Sequence, residues 1–381
     1  MNILIDENIP YAEEFFADIG KVIRFAGREL QPEQLIDVDV LLVRSITKVN
    51  AALLSQANKL KFVGTATIGE DHIDKSYLAN KGINFSSAPG CNAVSVAEYV
   101  LSVFYVLAEK YHFNLLDKTV AIIGVGNTGK GVKSKLDALG VNTLLVDPPR
   151  ANNEESQDFV ELEFALKNAD IITCHTPLIR NGENPTYHLI NESNLSLLKD
   201  DVCLVNACRG EVIDNQALLE HIKHRQSNEQ PAIKLALDVW ENEPHPLLEL
   251  IPFTDIATAH IAGYSLEGKS RGTEMLYQKV CDLWHFKKDK KLSDFLPKAD
   301  VTHLTVENEI DVMAMKSMIH FVYDVRRDDA LFRRLLSLNG FDWLRKNYPV
   351  RREWSSLTIV NQQQGKKVPQ FCQLGFDILS H

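Results

Sequence analysis

The feature that most limits how this chain can fold is the stretch Asp117 to Asp147. Thr119 to Ile123 is a β-branched, apolar run of the kind that forms a buried parallel strand, and it leads directly into Gly124-Val125-Gly126-Asn127-Thr128-Gly129. That is a complete G-x-G-x-x-G. The first glycine permits a tight bend, the second lets a pyrophosphate approach the backbone, and the third lets the next helix pack on the strand. A helical pattern follows (Val132, Leu136, Leu139), then a second strand-like run, Thr143 to Val146, ending in Asp147. Asp147 lies eighteen residues beyond Gly129, near the offset of roughly 20 expected for the acid that binds the adenosine ribose hydroxyls. The segment therefore reads as a Rossmann-type dinucleotide fold. A carboxylate there repels a 2′-phosphate, which favours NAD over NADP, although Arg150 nearby is a cation that a 2′-phosphate would welcome.

At 381 residues the chain is expected to hold two or three domains. A net charge of −10 argues against nucleic acid as a general partner. The charge is uneven: residues 285 to 381 carry 16 Lys and Arg against 12 Asp and Glu, leaving 25 against 39 for residues 1 to 284. The arginine pairs at 326–327, 333–334 and 351–352 are interleaved with acids and match no nucleic-acid motif, so they read as a solvated or self-associating face. Six cysteines, at 91, 174, 203, 208, 281 and 372, show no CxxC and no zinc-type spacing; reduced thiols are expected, and no metal. The N-terminus, MNILIDEN, is acidic, and no run of about 18 uncharged apolar residues occurs, so a cytoplasmic protein with no membrane partner is expected.

Ahead of the glycine turn, strand-like runs at Ile3–Ile5, Val22–Phe25, Val38–Val43, Phe62–Thr65 and Ile83–Phe85 alternate with helical stretches such as Tyr11–Ile19 and Asn50–Ala57. Residues 1–90 thus form an α/β unit of their own. Ala88-Pro89-Gly90 marks a crossing into residues 91–263, the nucleotide fold. That fold opens on a long apolar helix for which Asn92, or Ser95 with Glu98, offers a cap. Further strands at Ile171–Thr173, Val202–Val205, Leu235–Val239 and Ile256–Ala257 end in polar loops, where ligands of open parallel sheets bind. Those ends carry Thr176, Ala207, Cys208, Arg209, Asp238 and His260. Residues 264–286, with a helix Ser265–Trp284, return to the first domain. Residues 287–381 change character, with a lysine-rich connector, a strand Val301–Val306, a helix Val312–Val325 and a closing segment 354–360; no catalytic signature is present there, and subunit association is the economical role.

Three loop positions stand apart from the packing pattern: Arg209 in Asn206-Ala207-Cys208-Arg209-Gly210, Glu243 in the run 238–244, and His260 in the run 258–263. Singly, each has an ordinary explanation as a surface or structural residue. Together, after successive strands of a nicotinamide-type fold, they form a chemical set. Oxidation of a secondary alcohol needs a base for the hydroxyl proton, and histidine, with an unperturbed pKa of about 6.5, suits that exchange. A carboxylate against the ring fixes its tautomer and favours the imidazolium. An arginine holds a substrate carboxylate with a planar, two-pronged guanidinium that lysine cannot copy.

The glycine turn, CRGEVID, DVWENEP and HIAG together resemble the D-isomer-specific 2-hydroxyacid dehydrogenase family across residues 1 to 286. The resemblance implies a Rossmann-type NAD domain, a flavodoxin-like substrate domain and an α+β C-terminal dimerisation domain (287–381), hence a homodimer. It implies that Arg209, Glu243 and His260 are catalytic, that Asp147, Thr176, Ala207, Cys208, Arg209, Asp238 and Gly263 join the turn residues on NAD, and that Ser45, Thr67 and Tyr264 contact substrate. The segments VRSITKVN, VGTATIGEDHID and HIAGYSLEGKSRGT point within the family to a small phosphorylated 2-hydroxy acid, four carbons long in preference to three. Arg44 or Lys48 would add charge at the phosphate, while Glu70 is an unexpected acid nearby. The two lobes are expected to close around the substrate and exclude water. A non-enzymatic NAD-sensing regulator would share the nucleotide fold, but retention of all three catalytic side chains argues against it.

Overall fold

The computed structural model describes residues 1–153, 158–307, 311–361 and 368–380. They fall into two compact units, Met1–Asn92 with Tyr264–Lys298, and Ala93–Gly263 with Ala299–His381.

The first unit is built on a parallel sheet of β1 (Asn2–Asp6), β2 (Lys21–Phe25), β3 (Val40–Val43), β4 (Phe62–Thr65) and β5 (Asn84–Ser86), in the order β2-β1-β3-β4-β5. This is the flavodoxin-like order. Both faces are covered, and β3 and β4 are accordingly buried at every position. Ile3, Ile5, Val40 and Leu42 face one core with Phe15, Phe16, Leu276 and Tyr277, while Leu4, Leu41, Val43 and Val63 face the other with Phe25, Leu35 and Leu78. The helix Leu266–Trp284, capped by Ser265 Oγ accepting from the Gly268 N–H at 2.8 Å, belongs to this unit and seals the first core.

Two local expectations are corrected here. The helix expected over Asn50–Ala57 is a single 3-10 turn, Leu53–Gln56, opened by Asn50 accepting from the Leu53 N–H; Leu54 is its one buried side chain, too little apolar surface to hold a longer helix. The helix expected over Tyr11–Ile19 spans Ala12–Phe16, because Tyr11 takes a left-handed conformation (φ 54°).

The second unit carries β6 (Thr119–Ile123), β7 (Asn142–Val146), β8 (Ile171–Cys174), β9 (Cys203–Asn206), β10 (Lys234–Leu237) and β11 (Ile256–Ala257), parallel, in the order β11-β10-β9-β8-β6-β7. A parallel bridge between Leu145 and Phe159 extends the sheet beyond β7. With that bridge counted as a vestigial third strand, the order is the Rossmann 3-2-1-4-5-6 with β11 as a seventh strand at the edge. The helix Ala93–Tyr111 starts at Ala93, so Ser95 and Glu98 lie inside it and do not cap it, and Asn92 Oδ1 is buried with no hydrogen bond. The C-terminal residues add a parallel sheet of β12 (His303–Val306), β13 (Thr358–Asn361) and β14 (Asp377–Ser380). The helix expected over Val312–Val325 stops at Val322 because Tyr323 is extended, and a second one, Arg326–Asn339, follows, with Phe341–Lys346 after Gly340 (φ 84°). The arginine pairs there are not merely solvated: Arg333 binds Asp329 and the carbonyls of Ile251 and Thr254, and Arg351 is 2% exposed. No helix among the described residues is long and apolar enough to cross a membrane.

Phe15 is fully buried, with its ring centroid 5.3 Å from that of Tyr277 and 5.0 Å, edge-on, from that of Phe295. Phe15→Ala should therefore destabilise the first unit by about 3–5 kcal/mol, read as a lower urea midpoint.

Candidate active site

Each glycine of the turn answers a separate steric demand. Gly124 has φ +88°, and a Cβ on it would lie 2.7 Å from the backbone of His175 and Thr176. A Cβ on Gly129 would stand 2.0 Å from the Gly124 carbonyl oxygen. Gly126 is different: its Cβ would meet nothing within 4 Å, and the helix Asn127–Leu139 that starts after it has no side-chain cap. Open space above a backbone with uncapped amides is what a pyrophosphate needs, so the residues fit a dinucleotide. The Asp147 carboxylate accepts from the Val125 N–H at 2.8 Å and the Arg150 N–H at 3.2 Å, which sets it at the mouth of the turn. Arg150 donates to the Val125 carbonyl at 2.6 Å, so its guanidinium serves the turn itself.

At the ends of the next strands stand Thr176 after β8, and Ala207, Cys208 and Arg209 after β9. Asn206 shapes the second of these loops, donating to the Arg209 carbonyl at 2.9 Å and accepting from the Cys208 N–H at 3.2 Å. Gly210 is required next, because a Cβ there would sit 2.0 Å from the backbone carbonyl of Trp240.

His260 and Glu243 meet directly: His260 Nδ1 is 2.7 Å from Glu243 Oε2. Burial alone would raise the Glu243 carboxyl, but the charge of His260, its hydrogen bond, Arg345 and the Trp240 N–H together hold it below the usual carboxylate range. An ionised Glu243 makes Nδ1 the protonated ring nitrogen and leaves Nε2 to exchange a proton. Glu243 Oε1 accepts from the Trp240 N–H at 3.0 Å. The Trp240 indole donates to the Thr258 carbonyl at 2.9 Å, two residues before His260. His260 itself has φ 55°, a costly conformation for a residue with a side chain. Asp238 enforces it: its carbonyl accepts from the His260 N–H at 2.6 Å, and its carboxylate takes the N–H groups of Ile261 (2.8 Å) and Ala262 (2.9 Å) and the Thr258 hydroxyl (2.6 Å). Gly263 closes the same loop. Glu241, two residues before Glu243, is fixed by His188 at 2.6 Å and by the Asn215 N–H at 2.8 Å.

In the first unit, Ser45 and Lys48 are exposed after β3, and Arg44 donates to the buried Asp6 carboxylate at 2.8 Å. The Thr67 hydroxyl lies 2.8 Å from that of Thr65 and donates to the Gly69 carbonyl. Tyr264 lies under Lys269, whose Nζ is 5.6 Å from the ring centre. Burial, and then the charge of Arg44, push the Lys269 amine below its ordinary value. Glu70 is engaged by Lys75 Nζ and by the Ser87 hydroxyl, each at 2.7 Å, so its charge is answered locally.

A family model described as D-isomer specific 2-hydroxyacid dehydrogenase, NAD binding domain, matches residues 105–262, and one described as a domain of unknown function (DUF3410) matches 295–375. The chain belongs to the D-isomer-specific 2-hydroxyacid dehydrogenase family and carries its NAD-binding domain. Its relatives are more particular. The erythronate-4-phosphate dehydrogenase of Tolumonas auensis is 52% identical over 379 residues, 99% of either chain. That of Proteus mirabilis is 53% identical over 361 residues, 94% of this chain and 95% of its own. Among solved structures, the D-lactate dehydrogenase of Aquifex aeolicus complexed with NAD and lactic acid superposes with a TM-score of 0.60 at 26% identity, covering 74% of this chain and 96% of its own. The 3-phosphoglycerate dehydrogenase of Entamoeba histolytica shares the fold at 22% identity and a TM-score of 0.62, covering 78% and 99%.

The sequence reading missed Trp240, Thr258 and Lys269. Of these, only Trp240 had a signal, as the large aromatic between Asp238 and Glu243.

Burial pushes the His175 imidazole down to about 3. A folded-state value below the unfolded 6.5 means that this group contributes stability above pH 6.5 and that the contribution is lost as the pH falls towards 3. The chain should lose about 1.4 kcal/mol per pH unit from this group over that window. His175→Gln should flatten the fall in urea midpoint between pH 7 and pH 5.

Proposed function

We propose that this chain oxidises 4-phospho-D-erythronate at its C2 hydroxyl to 3-hydroxy-2-oxo-4-phosphooxybutanoate, with NAD, in the biosynthesis of pyridoxine 5′-phosphate. The observation that carries the chemistry is the Glu243–His260 pair at 2.7 Å, on the loop ends of a family NAD domain. The four-carbon substrate is supported by relatives named erythronate-4-phosphate dehydrogenase at about half identity over nearly the whole chain.

In this reading His260 Nε2 takes the hydroxyl proton while Glu243 holds Nδ1 and stabilises the imidazolium. Arg209 binds the substrate carboxylate and polarises the oxygen at C2. What NAD supplies when bound is the acceptor for the C2 hydride; Gly124, Gly126, Asn127, Thr128, Gly129, Asp147, Thr176, Ala207, Cys208 and Gly263 would hold it. Asp238 serves the same end through the His260 loop that it anchors. Ser45, Thr67 and Tyr264 meet the substrate, with Arg44 and Lys269 as cations for the phosphate. Exposed Met313, Phe321, Leu338 and Val350 support pairing of two chains through residues 287–381. The absence of disulfide bonds among the described residues supports a reducing, cytoplasmic setting.

The test is NADH absorbance with NAD and either 4-phosphoerythronate or 3-phosphoglycerate, with a 2-oxo acid acceptor in a parallel assay. Selective turnover of the four-carbon acid is expected; turnover of the three-carbon acid alone would keep the chemistry and rule out the substrate. His260→Ala should lower kcat by about 10³ with NAD affinity retained. Arg209→Lys should cut kcat/KM by about 10². Lys269→Met should raise KM about tenfold with little change in kcat.

A further inference from the structure

The residues that hold Glu243 against His260 are themselves held by the C-terminal segment. Trp240 is 1% exposed, and its indole lies flat on Phe332, with ring centres 5.5 Å apart and planes within 7°. Phe332 is equally buried and belongs to the helix Arg326–Asn339. Its far side meets the ring of Phe341 edge-on at 6.4 Å. The same helix grips the strand leading to His260 at both ends: Asp329 accepts from the Ala257 N–H at 2.8 Å, and Arg333 donates to the Thr254 carbonyl at 2.8 Å.

We propose that the helix Arg326–Asn339 is a brace for the Glu243–His260 pair, with Phe332 a positioning residue that acts through Trp240. Trp240 makes one hydrogen bond to each side of the pair's framework, to Glu243 Oε1 through its backbone and to the Thr258 carbonyl through its indole. A flat stacking partner fixes the plane of that indole, and hence the bond to the Thr258 carbonyl two residues before His260. Room to move is available if the partner is lost: a groove bounded by Leu331, Leu335 and Trp343 runs beside Ala259 and Ile261, the two neighbours of His260. Arg345, on the next helix, adds a positive charge that favours ionised Glu243. The C-terminal segment is thereby part of the machinery that keeps the base oriented, in addition to any role in pairing subunits.

The inference rests on the reading of His260 as the base, so turnover of 4-phosphoerythronate by the unsubstituted full-length protein is measured first and tests that reading alone. Phe332→Leu keeps an apolar side chain but removes the stack; Phe332→Tyr keeps the ring. Phe332→Leu should lower kcat about tenfold while KM and the NAD Kd stay within about two-fold, and Phe332→Tyr should restore kcat to within about two-fold. Proton NMR supplies a readout independent of substrate, because an Nδ1–H shared with a carboxylate resonates far downfield. That resonance should broaden or move upfield in Phe332→Leu and persist in Phe332→Tyr. Trp240→Phe, which keeps a ring but removes the indole donor, should reproduce the loss if Phe332→Leu fails to fold. The brace is overturned by an unchanged kcat and resonance in Phe332→Leu, by failure of Phe332→Tyr to restore them, or by loss of kcat and NAD affinity in equal measure. If the unsubstituted protein leaves 4-phosphoerythronate untouched, the substrate reading fails and the resonance alone decides the brace.

Discussion

One buried indole sets the register of the candidate catalytic loops. The Trp240 backbone lies where only glycine can follow Arg209, its N–H fixes one oxygen of Glu243, and its ring nitrogen fixes the carbonyl two residues before His260. Three loops from three strands are thus referred to one rigid side chain. A large aromatic suits that task because its ring is planar and has two torsions to immobilise, so little entropy is lost for the bonds it organises. It also explains why Gly210 stands beside Arg209: the glycine allows two backbones to touch, and the touch transmits the position of Trp240 to the guanidinium's loop.

The cost of this arrangement is concentrated at His260, whose left-handed backbone is disfavoured by about 1–3 kcal/mol. Asp238 offsets it with a carboxylate that accepts three hydrogen bonds from within the unit, in a buried setting where unpaired donors are expensive. A second buried polar cluster ties the C-terminal residues to the same unit. Arg351 donates to the Ser95 carbonyl and lies over the Tyr323 ring at 3.9 Å, Lys135 lies over the Trp354 ring at 4.3 Å, and the Trp354 backbone N–H donates to Glu98. Burial raises Glu98 to about 8 even with Lys135 beside it. Such a network favours one docking of the C-terminal segment over others, since any misplaced partner leaves a charge unanswered.

Much of this was legible in the sequence. The apolar runs and the glycine spacing announce two parallel sheets, and the polar residues at strand ends announce the loops that meet. What the sequence could not show is how those loops are held. Asp238 read as a cofactor contact; that its carboxylate also accepts from Thr258, Ile261 and Ala262 could not be read, because backbone N–H groups of a loop leave no mark on periodicity. Phe332 drew no reading from the sequence. Its partner lies 92 positions earlier in the chain, and long-range stacking has no local signature. The helix over Asn50–Ala57 was misread for the opposite reason: its residues have adequate propensity but too little apolar surface to bury.

The charge balance shows the same separation of global and local effects. A chain of net charge −10 would be expected to repel a phosphorylated acid. What a bound anion meets, however, is the field within a Debye length of about 8 Å at physiological salt. In the proposed reading the phosphate meets Arg44 and Lys269 of the first unit, the Lys269 amine being depressed by burial and then by the charge of Arg44, with Asp6 answering part of the Arg44 charge and Glu70 paired with Lys75. Two cations that disfavour each other become mutually favourable once an anion lies between them. A phosphate would therefore raise the Lys269 amine towards its ordinary value as it binds and take up a proton in proportion, so that substrate affinity and protonation of Lys269 rise together as the pH falls from the alkaline side.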